Sequence, residues 1–434
     1  MLPAAEQIQI ILPVACVVLL VMSFKRSVFG VVAYFVILNA KLGDMYPVLG
    51  AIRFELVAAL VVLASIPVAG GRFSDALSGK NRLNKSLWLL FFVGMVSVVQ
   101  SVSPSVSWDL GGYNLLKMTC FYVMVVASVR EEKDLRILLW GVGLVTCWIA
   151  YEPVTNYFRG VVNEQGYGDV AVGRFGVATG HVALANTLVQ MLPLVVLWGM
   201  AQKGHWSQKL IYAMAVFLVI GVILTKSRGG FVGLASVGFG LAWISKNRAK
   251  GFLLAGIFLG VCLMASGDDF TSRIATIGDG VFANRSTSDR YLGLVNGISM
   301  MIKRPLLGVG IGAYPEARSQ FFNYWFYSHN LYGELLGELG LASVVWFYWI
   351  FAVFRRSSQL KAIDELKNQR SFYWWILSAV QIGLFVRLVI GNFSHCAFIW
   401  YWFLMAGLVV GIENILNNSN VNGDVLESFK KGVR

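Results

Sequence analysis

At 434 residues, 57% of them hydrophobic and only 14% charged, the chain has a mean hydropathy of +0.66. Soluble globular domains carry roughly 25% charged residues, so this composition excludes a water-solvated fold and requires lipid as solvent. The net charge of +13 would point a soluble protein toward nucleic acid. Here the cations fall in alternate loops, as they do in membrane proteins, and no nucleic-acid partner is inferred.

A crossing helix takes about 20 mostly apolar residues. Taken in chain order, the apolar runs are 8–23, 28–38, 54–69, 87–102, 115–129 and 136–151, then 182–200, 210–225, 229–244, 252–265, 331–354, 372–390 and 395–412. They predict an all-α polytopic membrane protein of about 12–13 transmembrane helices, with 28–38 short for a full crossing. Residues 1–9 place no basic residue ahead of the first run, so that run reads as a retained span and not a secretory signal. Residues 1–416 form one transmembrane domain that includes the outer segment 267–330. A polar tail, 417–434, is expected to be disordered. Cys16, Cys120, Cys147, Cys262 and Cys396 stand singly in or beside apolar runs. That spacing supports neither a disulfide framework nor a zinc site.

Lys25 and Arg26, Arg72 to Lys85, Arg130 to Arg136, Lys203 and Lys209, Lys246 to Lys250, Arg355 to Arg370 and the C-terminal tail mark every second loop, whereas 102–114 has no Lys or Arg. The positive-inside rule then puts the N-terminus outside and the C-terminus in the cytoplasm. Segments 152–180, 225–230 and 267–329 face outward, the last as a large, partly helical loop between the tenth and eleventh spans.

Lys226 and Arg228 break this charge pattern, lying on the side the rule keeps poor in cations. In Ser227-Arg228-Gly229-Gly230 the glycines are expected to turn the backbone tightly and expose N–H groups where the next helix begins. A helix start beside a guanidinium favours a bound anion such as a phosphate; the bland alternative is a snorkelling interfacial Arg. Further on, Leu294, Ile298, Met301 and Ile302 recur at helical spacing. Thr287 or Ser288 is placed to cap the helix and Pro305 to stop it. This predicts an amphipathic helix along the outer membrane surface, with Arg290 in its first turn as a site residue or as an exposed charge. Gly308-Val309-Gly310-Ile311-Gly312 resembles a nucleotide loop only superficially, because no strand–turn–helix unit surrounds it; a bent re-entry toward the membrane fits better.

The chain has 4 histidines, and His181, His329 and His395 map to outer span ends. An imidazole suits proton removal from a sugar hydroxyl near neutral pH. His329, followed by Asn330 at the mouth of a helix, is the candidate base, while His181 and His395 read as packing residues. Gly333, Gly337 and Gly340 form a small-residue stripe for close helix packing. Glu334 and Glu338 share a helix face at i, i+4 and need partners in or near lipid, with Arg387, Arg228 and Arg290 the available cations. A glycosidase-type carboxylate pair is the weaker account of them.

These motifs together, 225–230, 304–310 and 328–340, with 173–176 and 185–186 upstream, resemble the O-antigen ligase/polymerase superfamily. The resemblance implies inverting glycosyl transfer at the periplasmic face of the bacterial inner membrane. The donor would be a glycan on undecaprenyl diphosphate, the acceptor lipid A–core oligosaccharide or a second lipid-linked glycan, and no metal or nucleotide cofactor would be needed. By the same likeness Arg228 and Arg290 grip the diphosphate and His329 activates the acceptor hydroxyl, with Arg174, Asn330, Glu338 and Arg387 in support. His181 departs from the family pattern, where a polar amide is expected, which weakens the assignment of Arg174. A flippase or transporter is the rival class, but transporters concentrate polar groups at the bilayer midplane. A membrane scaffold would leave the outer cations unexplained.

Overall fold

The apolar runs fold as helices because a backbone in lipid finds no water and must pair its N–H and C=O groups internally. The computed structural model describes residues 4–79, 81–161, 170–172, 180–202, 204, 206–266, 285–363 and 370–418. Its helices of nine or more residues are α1 (Ala4–Met22), α2 (Val28–Ala40), α3 (Phe54–Val68), α4 (Arg82–Val99), α5 (Tyr113–Ser128), α6 (Glu132–Phe158), α7 (His181–Ala201) and α8 (Trp206–Leu224). There follow α9 (Arg228–Ile244), α10 (Arg248–Ala265), α11 (Arg285–Lys303), α12 (Tyr314–Phe322), α13 (Leu331–Leu339), α14 (Ser343–Lys361), α15 (Phe372–Ile390) and α16 (Trp400–Asn418). Among the described residues there is no β-strand. Among the described residues eight segments are long and apolar enough to cross a membrane, and four further apolar helices are shorter. The protein is an all-α polytopic membrane protein. Of the tail expected to be disordered, 417–434, Asn417 and Asn418 belong to the end of α16, and the remainder, like Arg174, lies outside the described residues.

Contacts sort the loops into two ends, the same two sets that the charge pattern separates. At one end Arg26 pairs with Glu131 and Asp134, Arg130 bonds the Gly70 carbonyl, and Arg356 pairs with Glu413. At the other end Ser101 and Ser107 reach the carbonyls of Val309 and Ile311, and Asn114 reaches that of Phe398. His329 packs on His395 at this end too.

Two expectations need correction. The run 331–354 is not one helix. It breaks at Gly340, whose φ of 57° ends α13, and Leu341 and Ala342 turn to donate to the carbonyls of Pro305 and Leu306. The amphipathic helix α11 begins at Arg285, so Thr287 and Ser288 lie inside it and do not cap it. Gly293 and Gly297 lie against the backbone of Ser328 and Gly333, with no room for a Cβ. Val295, Ile298 and Ile302 stay exposed, a face suited to the lipid boundary.

The glycine run is a buried clasp and not a phosphate cradle. Gly308, Gly310 and Gly312 all have positive φ (65°, 104° and 75°). The amides of Val309 and Gly310 are spent on the carbonyls of Gly337 and Glu338. Side chains of Ser97, Gln100, Ser101 and Ser107 donate to the outward carbonyls of residues 307, 308, 309 and 311. Gly310→Ala would drive a Cβ into Ser101 and hold a left-handed backbone that alanine resists. It is expected to cost about 1–3 kcal/mol, read as a lower thermal midpoint in detergent.

Candidate active site

Arg228 opens α9. Ser227 caps that helix by accepting from the Gly230 N–H at 3.4 Å. The turn before it is made by Lys226, at φ 47°, and not by the glycines as the sequence suggested. Gly229 and Gly230 are helical and serve close approach instead. A Cβ on Gly229 would lie 3.1 Å from Phe393, and one on Gly230 would lie 2.9 Å from Ala185.

Phe393 also carries the second cation, since the Arg290 guanidinium lies 5.4 Å from its ring centroid. Burial, then the neighbouring charge of Arg228, depress Arg290 to about 10, with Asp289 acting the other way. Arg290 therefore stays charged at neutral pH, and two like charges are held together. Among the described residues no ion pair neutralises either one. A site built this way favours a multiply charged anion, and guanidinium forks match phosphate oxygens.

His329 sits in the left-handed region at φ 48°, an uncommon and costly conformation for a residue with a Cβ. Its neighbours hold it there. Ser328 Oγ donates to the Asn330 carbonyl at 2.7 Å, and Asn330 Oδ1 caps α13 by accepting from the N–H groups of Tyr332 and Gly333, both at 3.0 Å. The His329 ring meets His395 edge-on at 5.1 Å and Phe326 at 4.8 Å. Burial, then the charge of Arg290, hold its pKa below the ordinary 6.5. Asp289 opposes this and Arg318 adds to it. The imidazole is thus neutral near pH 7 and able to accept a proton.

Sequence reasoning missed much of what surrounds this ring. Tyr327 stacks on His395, with centroids at 4.7 Å and planes within 7°. Arg318 has no exposed surface. It donates from Nη1 to the Tyr327 carbonyl at 3.2 Å and lies over Tyr324, while its Nε and Nη2 have no partner among the described residues. The chain of contacts Arg318–Tyr327–His395–His329 fixes the imidazole from behind. No local pattern marks Arg318 or Phe393, because their importance arises from packing between segments distant in sequence.

The carboxylates fasten loops. Glu334 Oε2 accepts from the amides of Cys396 and Ala397 at 2.6 and 3.0 Å, and buried Arg387 acts on it electrostatically. The Gly312 and Tyr314 amides act on the Glu338 carboxylate electrostatically, and the Glu338 main-chain carbonyl accepts from the Gly310 N–H and from Ser97 Oγ. The two therefore hold different loops, which disfavours a glycosidase-type pair. Arg387 acts electrostatically on both Glu334 and His395, while the Glu338 carbonyl accepts from the Gly310 N–H of the glycine clasp.

His395 was read as a packing residue, and it is one. Burial, then the charges of His329 and Arg387, push its pKa down to about 3. Folding keeps it neutral, whereas the unfolded imidazole takes up a proton below 6.5. Stability contributed by the neutral ring is therefore complete above 6.5 and is lost progressively as pH falls from 6.5 toward 3. The expected result is a thermal midpoint that drops between pH 7 and pH 5, and a smaller drop in His395→Asn.

Fold and site together define a polytopic membrane protein with a cationic, imidazole-bearing site at one end of its bundle. Residues 213–350 match the family model described as O-antigen ligase. Arg228, Arg290, Arg318, His329, Asn330 and Glu338 lie within the match, and Arg174, Arg387 and His395 outside it. No curated protein matches the chain.

Proposed function

We propose that the protein is an inverting membrane glycosyltransferase of the O-antigen ligase type. It moves a glycan from undecaprenyl diphosphate to a hydroxyl of lipid A–core oligosaccharide at the periplasmic face of the inner membrane. The observation that carries this is the pair of adjacent guanidiniums, unpaired among the described residues, beside an imidazole depressed below its ordinary pKa.

In the reaction the acceptor O–H gives its proton to His329 while its oxygen bonds to the anomeric carbon of the donor. The bond from that carbon to the diphosphate oxygen breaks, and the electron pair leaves with the diphosphate. Arg228 and Arg290 stabilise the charge that develops there, the role a metal ion would otherwise fill. Attack opposite the leaving group inverts the configuration. A polymerase with the same donor and a lipid-linked acceptor would use the same residues. The clustering of cations and imidazole at one end of the bundle favours surface chemistry over transport.

The test is purified protein with a lipid-linked glycan donor and each acceptor in turn, with and without a chelator. Transfer to lipid A–core that survives chelation and vanishes in His329→Ala is expected. Transfer only to a lipid-linked glycan would establish the polymerase, and undiminished transfer by the variant would remove the base.

A further inference from the structure

A cavity of about 800 Å³ opens at the same end of the bundle and contains none of the residues assigned to the reaction. It lies between the segment joining α2 to α3, the start of α5, and residues 398–400. None of its lining falls within 213–350, the stretch that matches the family.

Its wall is shaped by backbone geometry that ordinary helices lack. Trp108–Gly112 is a π-helical turn closed by the Tyr113 N–H on the Trp108 carbonyl, a form found frequently at functional sites. The turn leaves the rings of Trp108 and Tyr113 at the cavity with 45% and 38% of their surface exposed. Across the cavity Lys41 and Arg53 both adopt left-handed φ, 48° and 49°. Lys117 braces the floor, 3.0 Å from Glu55 and 5.0 Å from the Tyr113 ring centroid.

The chemistry of the lining selects the ligand class. Lys41, Arg53 and Lys117 are balanced by Asp44, Glu55 and Asp109, so the cavity has no net charge to hold a polyanion or an anionic headgroup. Exposed aromatic faces beside carboxylates and the amide of Asn114 suit a polyhydroxylated ring. Its C–H face stacks on the aromatic while its hydroxyls bond the polar groups.

The cavity is also coupled to the candidate base. Asn114 Nδ2 donates to the Phe398 carbonyl at 2.8 Å, and Phe398 lies three residues after His395, whose ring meets His329. Three residues span at most about 11 Å. Ser107, one residue before the π turn, bonds the Ile311 carbonyl of the glycine clasp. We infer that this cavity is the acceptor-glycan subsite, holding the oligosaccharide whose terminal hydroxyl reaches His329. The inference rests on the transferase reading above and places recognition of the acceptor outside the family-matched segment.

The full-length protein in nanodiscs, as wild type, Trp108→Ala/Tyr113→Ala, Asp109→Asn and Arg290→Ala, separates the two claims. One measurement is saturation-transfer NMR with the oligosaccharide pool released by mild acid from the glycolipids of cells that make the protein. The other is binding of undecaprenyl diphosphate. The double aromatic variant is expected to weaken oligosaccharide binding about tenfold or more and Asp109→Asn to weaken it less, both keeping diphosphate affinity. Arg290→Ala should do the reverse. Both aromatic rings are half-exposed, and an unchanged thermal midpoint would exclude misfolding. Should the double variant misfold, Asp109→Asn carries the test alone. Wild type giving no oligosaccharide signal, or cavity variants that keep it in full, overturns the subsite. Undiminished diphosphate binding by Arg290→Ala overturns the donor grip and leaves the subsite standing.

Discussion

Arg290→Ala is expected to lower glycan transfer by about 10²–10³-fold, the usual loss when a preorganised charge aimed at a leaving group is removed. The loss should appear in both kcat and donor affinity, because the diphosphate is charged before the reaction and gains charge during it. Arg290→Lys separates charge from shape. An ammonium retains the cation but not the two-pronged contact, so partial activity points to electrostatics and alanine-like activity to fork geometry. Arg228→Ala should behave similarly. The double variant should lose less than the product of the single losses, because residues that act on one group do not contribute independently. Relief of repulsion strengthens that expectation, since the charge of Arg228 disfavours the charged form of Arg290 and removing it eases that burden. Multiplicative losses, or transfer unaffected by either single change, would separate these residues from a shared diphosphate.

Legibility in the sequence followed the range of the physics involved. Helix positions and the membrane class came from local hydropathy, which the lipid solvent makes nearly decisive. Arg228, Arg290 and His329 stood out because a cation on the wrong side of the charge pattern and a rare histidine at a span end are local anomalies. The break at Gly340 was invisible. It depends on backbone from residues 305 and 306 arriving to accept two N–H groups, and only the fold brings them there. The glycines of 229–230 were misread for the same reason: their contacts are with Phe393 and Ala185, remote in sequence. Arg318, Tyr327 and Phe393 escaped notice because each is unremarkable until packed against its partners in the fold. The cavity lined by Trp108 and Tyr113 depends on a π turn, and no 3.6-residue periodicity predicts one.

His329→Ala should lower kcat by about 10²–10⁴-fold, the range for losing a positioned general base, with little change in donor affinity. A pH profile tests the assignment more sharply than the loss itself. The base works deprotonated, and burial with nearby cations holds its pKa below 6.5. The acid limb of transfer should therefore fall below pH 6.5, with full activity retained at neutrality. Arg318→Gln leaves both candidate diphosphate ligands in place and deletes a charge that acts on the imidazole. Imidazolium is then less disfavoured, the pKa rises, and the acid limb should move toward neutral pH. Arg318→Lys should largely restore it. If Arg318 served only to hold the Tyr327 carbonyl, transfer would drop equally at every pH and the limb would stay in place. A limb that moves in the acid direction would contradict the sign of the electrostatic coupling, and a profile identical between wild type and His329→Ala would show that another group removes the proton.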